Sequence, residues 1–184
     1  NYQLSKLSKL LNINSILIEL IKSELLFNDN MSINTFITTT SNEKGKIFEN
    51  AEINFSIING KINFNKTRLI NKKIGLLELD NSNLSFKKNR LILNTDIMIE
   101  LNNSDKLFSL LQTNKKFRKS IKNIYANLDY DFLTNQVEFN NIKIDNNEVS
   151  DKLYEIVEGF DNNNFGNWNK SKRLLNELFK NYEG

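Results

Sequence analysis

Any acid-base chemistry in this 184-residue chain has to come from Asp, Glu, Lys or Tyr, because the sequence holds no His and no Cys. The same absence removes Cys/His zinc sites, disulfides, Cys nucleophiles and Ser-His pairs. Asp129 and Asp131 form one carboxylate pair, at an i, i+2 spacing that places both on one face of a strand about 7 Å apart. A catalytic dyad needs burial or mutual repulsion to separate its two pKa values, whereas a face shared with Tyr125 and Asn127 reads as solvated. Asp145 and Glu148 read as an ordinary turn. The loop Asp161 to Gly166 opens like a calcium loop but puts Phe165 at position five and Lys172 where a bidentate Glu is required. Gly45-Lys46 and Gly60-Lys61 lack the upstream Gly and the following Ser or Thr of a P-loop. The chain therefore reads as non-enzymatic, with no cofactor and no metal.

Composition narrows the partners further. Asn, Ile, Lys and Phe are in excess and Ala, Pro and His are scarce or absent, which follows AT-rich codon usage. The net charge of +3 comes from 25 basic residues scattered among 22 acids. No stretch clusters Lys and Arg with aromatics as a nucleic-acid face would, so nucleic acid is not expected as a partner. The longest apolar run, Ile16 to Ile21, is interrupted by Glu19 and falls well short of the ~20 residues needed to span a bilayer. The chain starts at Asn1 rather than Met and reads as a piece of something longer.

The elements that must position these side chains follow from periodicity. Leu4 to Phe27 carries apolar residues at three- and four-residue steps, which predicts amphipathic helix. From Ile33 to Leu101 the period changes to two. Ala51, Ile53, Phe55 and Ile57 alternate with polar residues and run into Asn59-Gly60, a pair suited to a type I′ turn. A two-residue loop then sets Ile57 opposite Ile62 and Phe55 opposite Phe64. Shorter β-runs are expected at Ile74 to Leu79 and Leu84 to Phe86, separated by a turn at Asn81-Ser82-Asn83. Leu91 to Leu101 gives the longest alternating stretch, about 35 Å when extended.

Ser104 is the expected cap of a mid-chain helix carrying Leu107, Phe108, Leu110 and Leu111. Ile124, Ala126, Leu128, Tyr130 and Phe132 then alternate as a strand. Val137 to Ile144 follows, with a parity slip at Asn140-Asn141 that predicts a bulge. Ser150 caps a helix to Gly159, with Val149 offset to staple onto Tyr154. Trp168 to Tyr182 carries a stripe of Leu174, Leu175, Leu178, Phe179 and Tyr182. The expected fold is a β-dominated α+β domain over 1–184, divided into a helical 1–27, a β-sheet over 33–101, a helical insert at 104–122, β-strands at 123–145 and a helical carboxy-terminus at 150–184. Its long antiparallel curved sheet would form a trough or half-barrel flanked by amphipathic helices.

The stretch from Glu49 to Ile144 resembles the AsmA-like family, bacterial relatives of bridge-like lipid transporters. Asn50-Ala51-Glu52-Ile53, the Asn59-Gly60 hairpin and Lys73-Ile74-Gly75 are similar to that family's repetitive strands. Phe108 to Gln112, Lys116 to Lys119, the strand to Phe132, Arg173 to Asn176 and Tyr182-Glu183-Gly184 are similar to its carboxy-terminal region. The resemblance implies a trough that carries phospholipid or another acyl lipid across the periplasm of a Gram-negative bacterium, without catalysis. It also implies association with the inner membrane through an N-terminal anchor missing here, and contacts with further segments of the same chain. The lipid-lining residues would be Ile53, Phe55, Ile57, Ile62, Phe64, Leu91, Leu93, Ile97, Ile99, Leu128, Tyr130 and Phe132. The same apolar face is equally compatible with a closed core packed by helices. In that case the chain is a structural or protein-interaction β module with no ligand, whose long strands offer an edge for pairing.

Overall fold

The computed structural model describes residues 23, 25–41, 47–134, 136–159 and 168–182. Nine strands follow one another as β1 (Ser32–Thr40), β2 (Asn50–Ile58), β3 (Lys61–Asn63), β4 (Thr67–Asn71), β5 (Gly75–Lys87), β6 (Arg90–Leu101), β7 (Asn123–Asp131), β8 (Gln136–Ile144) and β9 (Asn147–Glu148). They make one sheet in chain order, every neighbour antiparallel. β3 and β4 occupy a single position between β2 and β5, as one strand interrupted at residues 64–66. Three helices join the sheet, namely α1 (Ser104–Leu111), α2 (Asp151–Glu158) and α3 (Trp168–Asn181). The β-dominated α+β architecture with a long antiparallel sheet is the one the alternation predicts, and among the described residues β1 and β9 stay unpaired with each other.

Asparagine makes the hairpins tight. Asn59 and Gly60 have φ of 51° and 70°, and Ile57 sits opposite Ile62 as the two-residue loop requires. Gly60 is also needed for space, because a Cβ there would collide with the Phe27 carbonyl oxygen in the short 3-10 turn Leu25–Phe27. Lys88-Asn89 and Asp145-Asn146 make the same kind of turn, again with both φ values positive. Asn and Asp tolerate this region because their short side chains bond locally to the backbone.

Two irregularities differ in how well they are predicted. The bulge in β8 falls where parity slips, since Asn127 pairs with Asn141 and Leu128 with Phe139, leaving Asn140 as the extra residue. The turn expected at Asn81-Ser82-Asn83 is instead a bulge inside the continuous strand β5, between the pairs Asp80/Asp96 and Asn83/Asn94. The physical reason is compensation by side chains. The Ser82 Oγ accepts the Phe64 N–H at 2.6 Å, and the Ser82 N–H and hydroxyl both donate to Asn65 Oδ1, at 2.6 and 2.8 Å. The break between β3 and β4 and the bulge in β5 thus satisfy each other's lost ladder bonds.

The helix ends also bring corrections. α1 is capped by Asn103, whose side chain accepts the Lys106 N–H, and Ser104 is its first helical residue rather than its cap. Ser150 holds the N-cap position of α2 without a side-chain bond. Phe132 lies in the turn after β7, tied to β6 by a bond from its N–H to the Leu91 carbonyl. The helix expected over Leu4 to Phe27 falls outside the described residues except for the 3-10 turn, and so does the loop at 161–167.

Candidate functional site

Strand alternation and register together build a single apolar face. Leu69 stands opposite both Ala51 and Leu77, Leu77 opposite Ile99, Ile99 opposite Ile124, and Ile124 opposite Ile144. A second row runs alongside it through Thr67, Leu79, Ile97, Ala126 and Ile142, and Ile37 pairs with Ile53 on the same side. Residues in such rows have Cβ atoms about 5 Å apart, so the rows are continuous apolar bands across the sheet.

Each end of this face is closed by a core. At one end Phe108, Leu111, Ile121, Ile142, Ile144, Leu153 and Phe179 are buried together under the three helices. The Phe108 and Phe179 rings meet edge-on at 5.1 Å, the arrangement that ring quadrupoles favour. At the other end Ile57, Ile62, Leu84 and Leu91 are buried, with Phe27, Met31, Phe64 and Leu133 packed around them. Between these cores Ile53, Leu69, Leu77, Leu79, Ile97 and Ile99 are half-buried and belong to neither, while Ile37 at the edge is 40% exposed. The middle rows are where the described residues leave apolar surface available.

The reverse face is held by polar side chains. Asp96 accepts from Asn81 Nδ2 at 2.7 Å through one oxygen, and from the Tyr125 hydroxyl and Asn127 Nδ2 at 2.8 and 2.7 Å through the other. Burial pushes its carboxyl up, but those three hydrogen bonds outweigh burial and hold it below the ordinary carboxylate value. Tyr125 is raised in return, chiefly by its hydrogen bond to Asp96.

The pair singled out as a chemical candidate is divided by its surroundings. Asp129 accepts from Asn94 Nδ2 at 2.7 Å. Asp131 is not solvated as expected but 2% exposed, and it accepts from Arg90 Nε at 2.9 Å and from the Leu133 N–H at 3.0 Å. Burial raises the Asp131 carboxyl, while Arg90, the Leu133 N–H and the Thr134 hydroxyl more than offset this and lower it. Asp131 thus closes the β7–β8 turn onto the start of β6. Asp145, the other turn carboxylate, accepts the Lys122 and Asn123 N–H groups at 2.7 and 2.9 Å.

A cavity of about 930 Å³ lies under the insert between β6 and β7, lined among others by Met98, Glu100, Lys122, Tyr125 and Lys143. Its lining mixes charged reverse-face residues with Ile99 and Ile124, so it borders the end of the apolar rows. No group of three or more metal-ligating side chains occurs among the described residues. No helix among them is long and apolar enough to cross a membrane.

All twelve lipid-lining candidates fall on the apolar side, but they divide. Ile57, Ile62 and Leu91 are buried in the second core, with Phe55, Phe64, Leu93 and Phe132 packed against it. Leu128 is buried, and Tyr130 stacks edge-on against Phe132 at 4.7 Å. Ile53, Ile97 and Ile99 remain in the middle rows. Sequence reasoning missed Ile37, Leu69, Leu77 and Leu79 as their companions. The signal for two of these was present, since Leu77 and Leu79 alternate with Glu78 and Asp80, whereas Ile37 follows the equally apolar Phe36 and so shows no alternation. Comparison with family models, with curated proteins and with solved structures finds no match to this chain.

Proposed function

We propose that this chain is a non-catalytic lipid-binding segment whose middle rows hold acyl chains against the apolar face of the sheet. One observation carries the reading. The antiparallel meander carries apolar rows whose β8 ends enter the first core while Ile53, Leu69, Leu77, Leu79, Ile97 and Ile99 stay half-buried and outside both cores. A sheet face this apolar has to meet helix, sheet or ligand. The rows run across the strands, so an extended chain lying along one of them would touch several strands at once. The AsmA-like resemblance agrees with this use and adds the wider role, phospholipid movement between inner and outer membranes and envelope maintenance in the periplasm. The residues assigned to lipid contact are therefore Ile53, Ile97 and Ile99 with Leu69, Leu77 and Leu79. The seven candidates in or against the second core are assigned to stability.

Native mass spectrometry of gently purified protein tests this. Phospholipid is expected to co-purify, to fall sharply in a Leu77→Asn/Ile97→Asn double variant and to persist in Ile58→Asn, a substitution on the opposite face where Ile58 is 44% exposed. Circular dichroism checks that each variant folds. Absence of lipid at any stoichiometry from folded wild-type protein would leave the ligand-free structural or interaction module as the reading.

A further inference from the structure

The two edges of the sheet are unlike each other. β9 offers two residues and leads directly into Val149 and α2, whereas β1 presents nine residues, Ser32–Thr40, and among the described residues pairs with β2 alone. The Met31 carbonyl accepts the Asn59 N–H, and the Ser41 N–H donates to the Glu49 carbonyl, so the bonded pairs at both ends of the β1/β2 ladder carry odd numbers on β1. Bonded and non-bonded pairs alternate in an antiparallel ladder. Ser32, Asn34, Phe36, Thr38 and Thr40 therefore aim their backbone N–H and C=O groups away from the sheet. All five are exposed, Phe36 at 63%. The strand has no charge, no proline and no bulge, which are the usual protections of an edge.

We propose that β1 pairs antiparallel with β1 of a second copy of this chain, about a two-fold axis at Phe36. Phe36 is the central residue of the strand, so this register overlaps the whole of both strands. It sets Phe36 opposite Phe36 of the other copy, Asn34 opposite Thr38, and Ser32 opposite Thr40. Every one of these positions points its backbone outward, which gives about ten interchain hydrogen bonds. The Phe36 rings meet on the reverse face, while Ile33 and Ile37 extend the apolar face beside Thr39 and Thr35 of the other copy. An uncharged strand meets its copy without like-charge repulsion. At the opposite edge β9 covers only Lys143 and Ile144 of β8, Val149 and Tyr154 occupy the Ile142 carbonyl and N–H, and the bulge at Asn140 breaks the stretch from Gln136. That edge therefore offers β1 no straight nine-residue partner, and the two-fold β1 pairing is the one that closes.

The chain lacks cysteine, which makes the register directly testable. A single Phe36→Cys substitution should form a disulfide-linked dimer under mild oxidation, because bonded pairs bring Cα atoms to about 5.5 Å. Asn34→Cys alone should not, and Asn34→Cys with Thr38→Cys should. Sedimentation should show a wild-type dimer that dissociates on dilution, and Phe36→Lys should be monomeric at concentrations where wild type is dimeric, with a melting curve that matches wild type once both are diluted to monomer. A wild-type monomer at every concentration, a dimer that survives Phe36→Lys, or equal cross-linking at Asn34 and Phe36 would overturn the proposal. These readouts are independent of lipid, so they stand or fall separately from the acyl-chain assignment.

Discussion

Leu91 and Ile97 lie on the same strand, on the same face, six residues apart, yet Leu91 is 1% exposed and Ile97 is half-buried in the middle rows. At the Leu91 end the 3-10 turn, Met31 and the residues after β7 close over the sheet. At the far end of the neighbouring strands, the three helices do the same around Phe108 and Phe179. The difference between core and available surface therefore lies in what covers each stretch, since the face is apolar on either side of the buried Thr95, whose hydroxyl donates to the Asp80 carbonyl. Strands β5 and β6 run from one core past the middle rows, and they couple the two ends mechanically.

The comparison is tested most severely at the cores. Phe108→Ala removes a fully buried ring and its edge-on partner contact, and a loss of about 3–5 kcal/mol is expected in chemical denaturation. Leu91→Ala in the other core should cost about 2–5 kcal/mol. Because β5 and β6 link the two cores, both variants should shift one shared transition. Two separate transitions would show that the ends fold independently.

Acid pH probes the junction at the Leu91 end. Asp96 and Asp131 both have carboxyls held below their ordinary value, so they bind fewer protons folded than unfolded as the pH falls below about 4. Their contribution is present above the unfolded value and is lost as pH falls through the folded one. Asp131→Asn leaves Arg90 without its carboxylate and should cost about 1–3 kcal/mol at neutral pH. It should also flatten the acid limb of stability against pH, and an unaltered limb would mean that Asp131 carries no such linkage.

The smallest stability effect belongs to the middle rows. Ile97→Thr replaces the ethyl arm of a half-buried side chain with a smaller hydroxyl, and should cost about 1–2 kcal/mol, less than Leu91→Ala, while reducing bound lipid. A cost equal to that of Leu91→Ala would mean that the middle is core as well and would remove the distinction.

Much of this was legible in the residues themselves. Alternation through Ala51 to Ile57 and Leu91 to Leu101 predicts the strands, Asn59-Gly60 predicts the hairpin, and the parity change at Asn140-Asn141 predicts the β8 bulge. Local signals misled where a tertiary partner intervened. Asn81-Ser82-Asn83 has turn chemistry, but Phe64 and Asn65 supply hydrogen bonds that keep β5 continuous. Thr67 to Asn71 carries too short a pattern to announce a strand by itself, and it forms one because β2 and β5 already flank it.

By itself the sequence determined which side chains share a face, because a period of two fixes direction along an extended backbone. It also excluded thiol and imidazole chemistry, because the atoms are absent. Which apolar residues are buried was decided only by the tertiary structure, since burial depends on distant segments such as Met31 and Phe179 arriving over the sheet. Edge exposure at β1 and the pairing of Asp131 with Arg90 likewise needed the fold, because each rests on contacts, or their absence, between residues far apart in the chain.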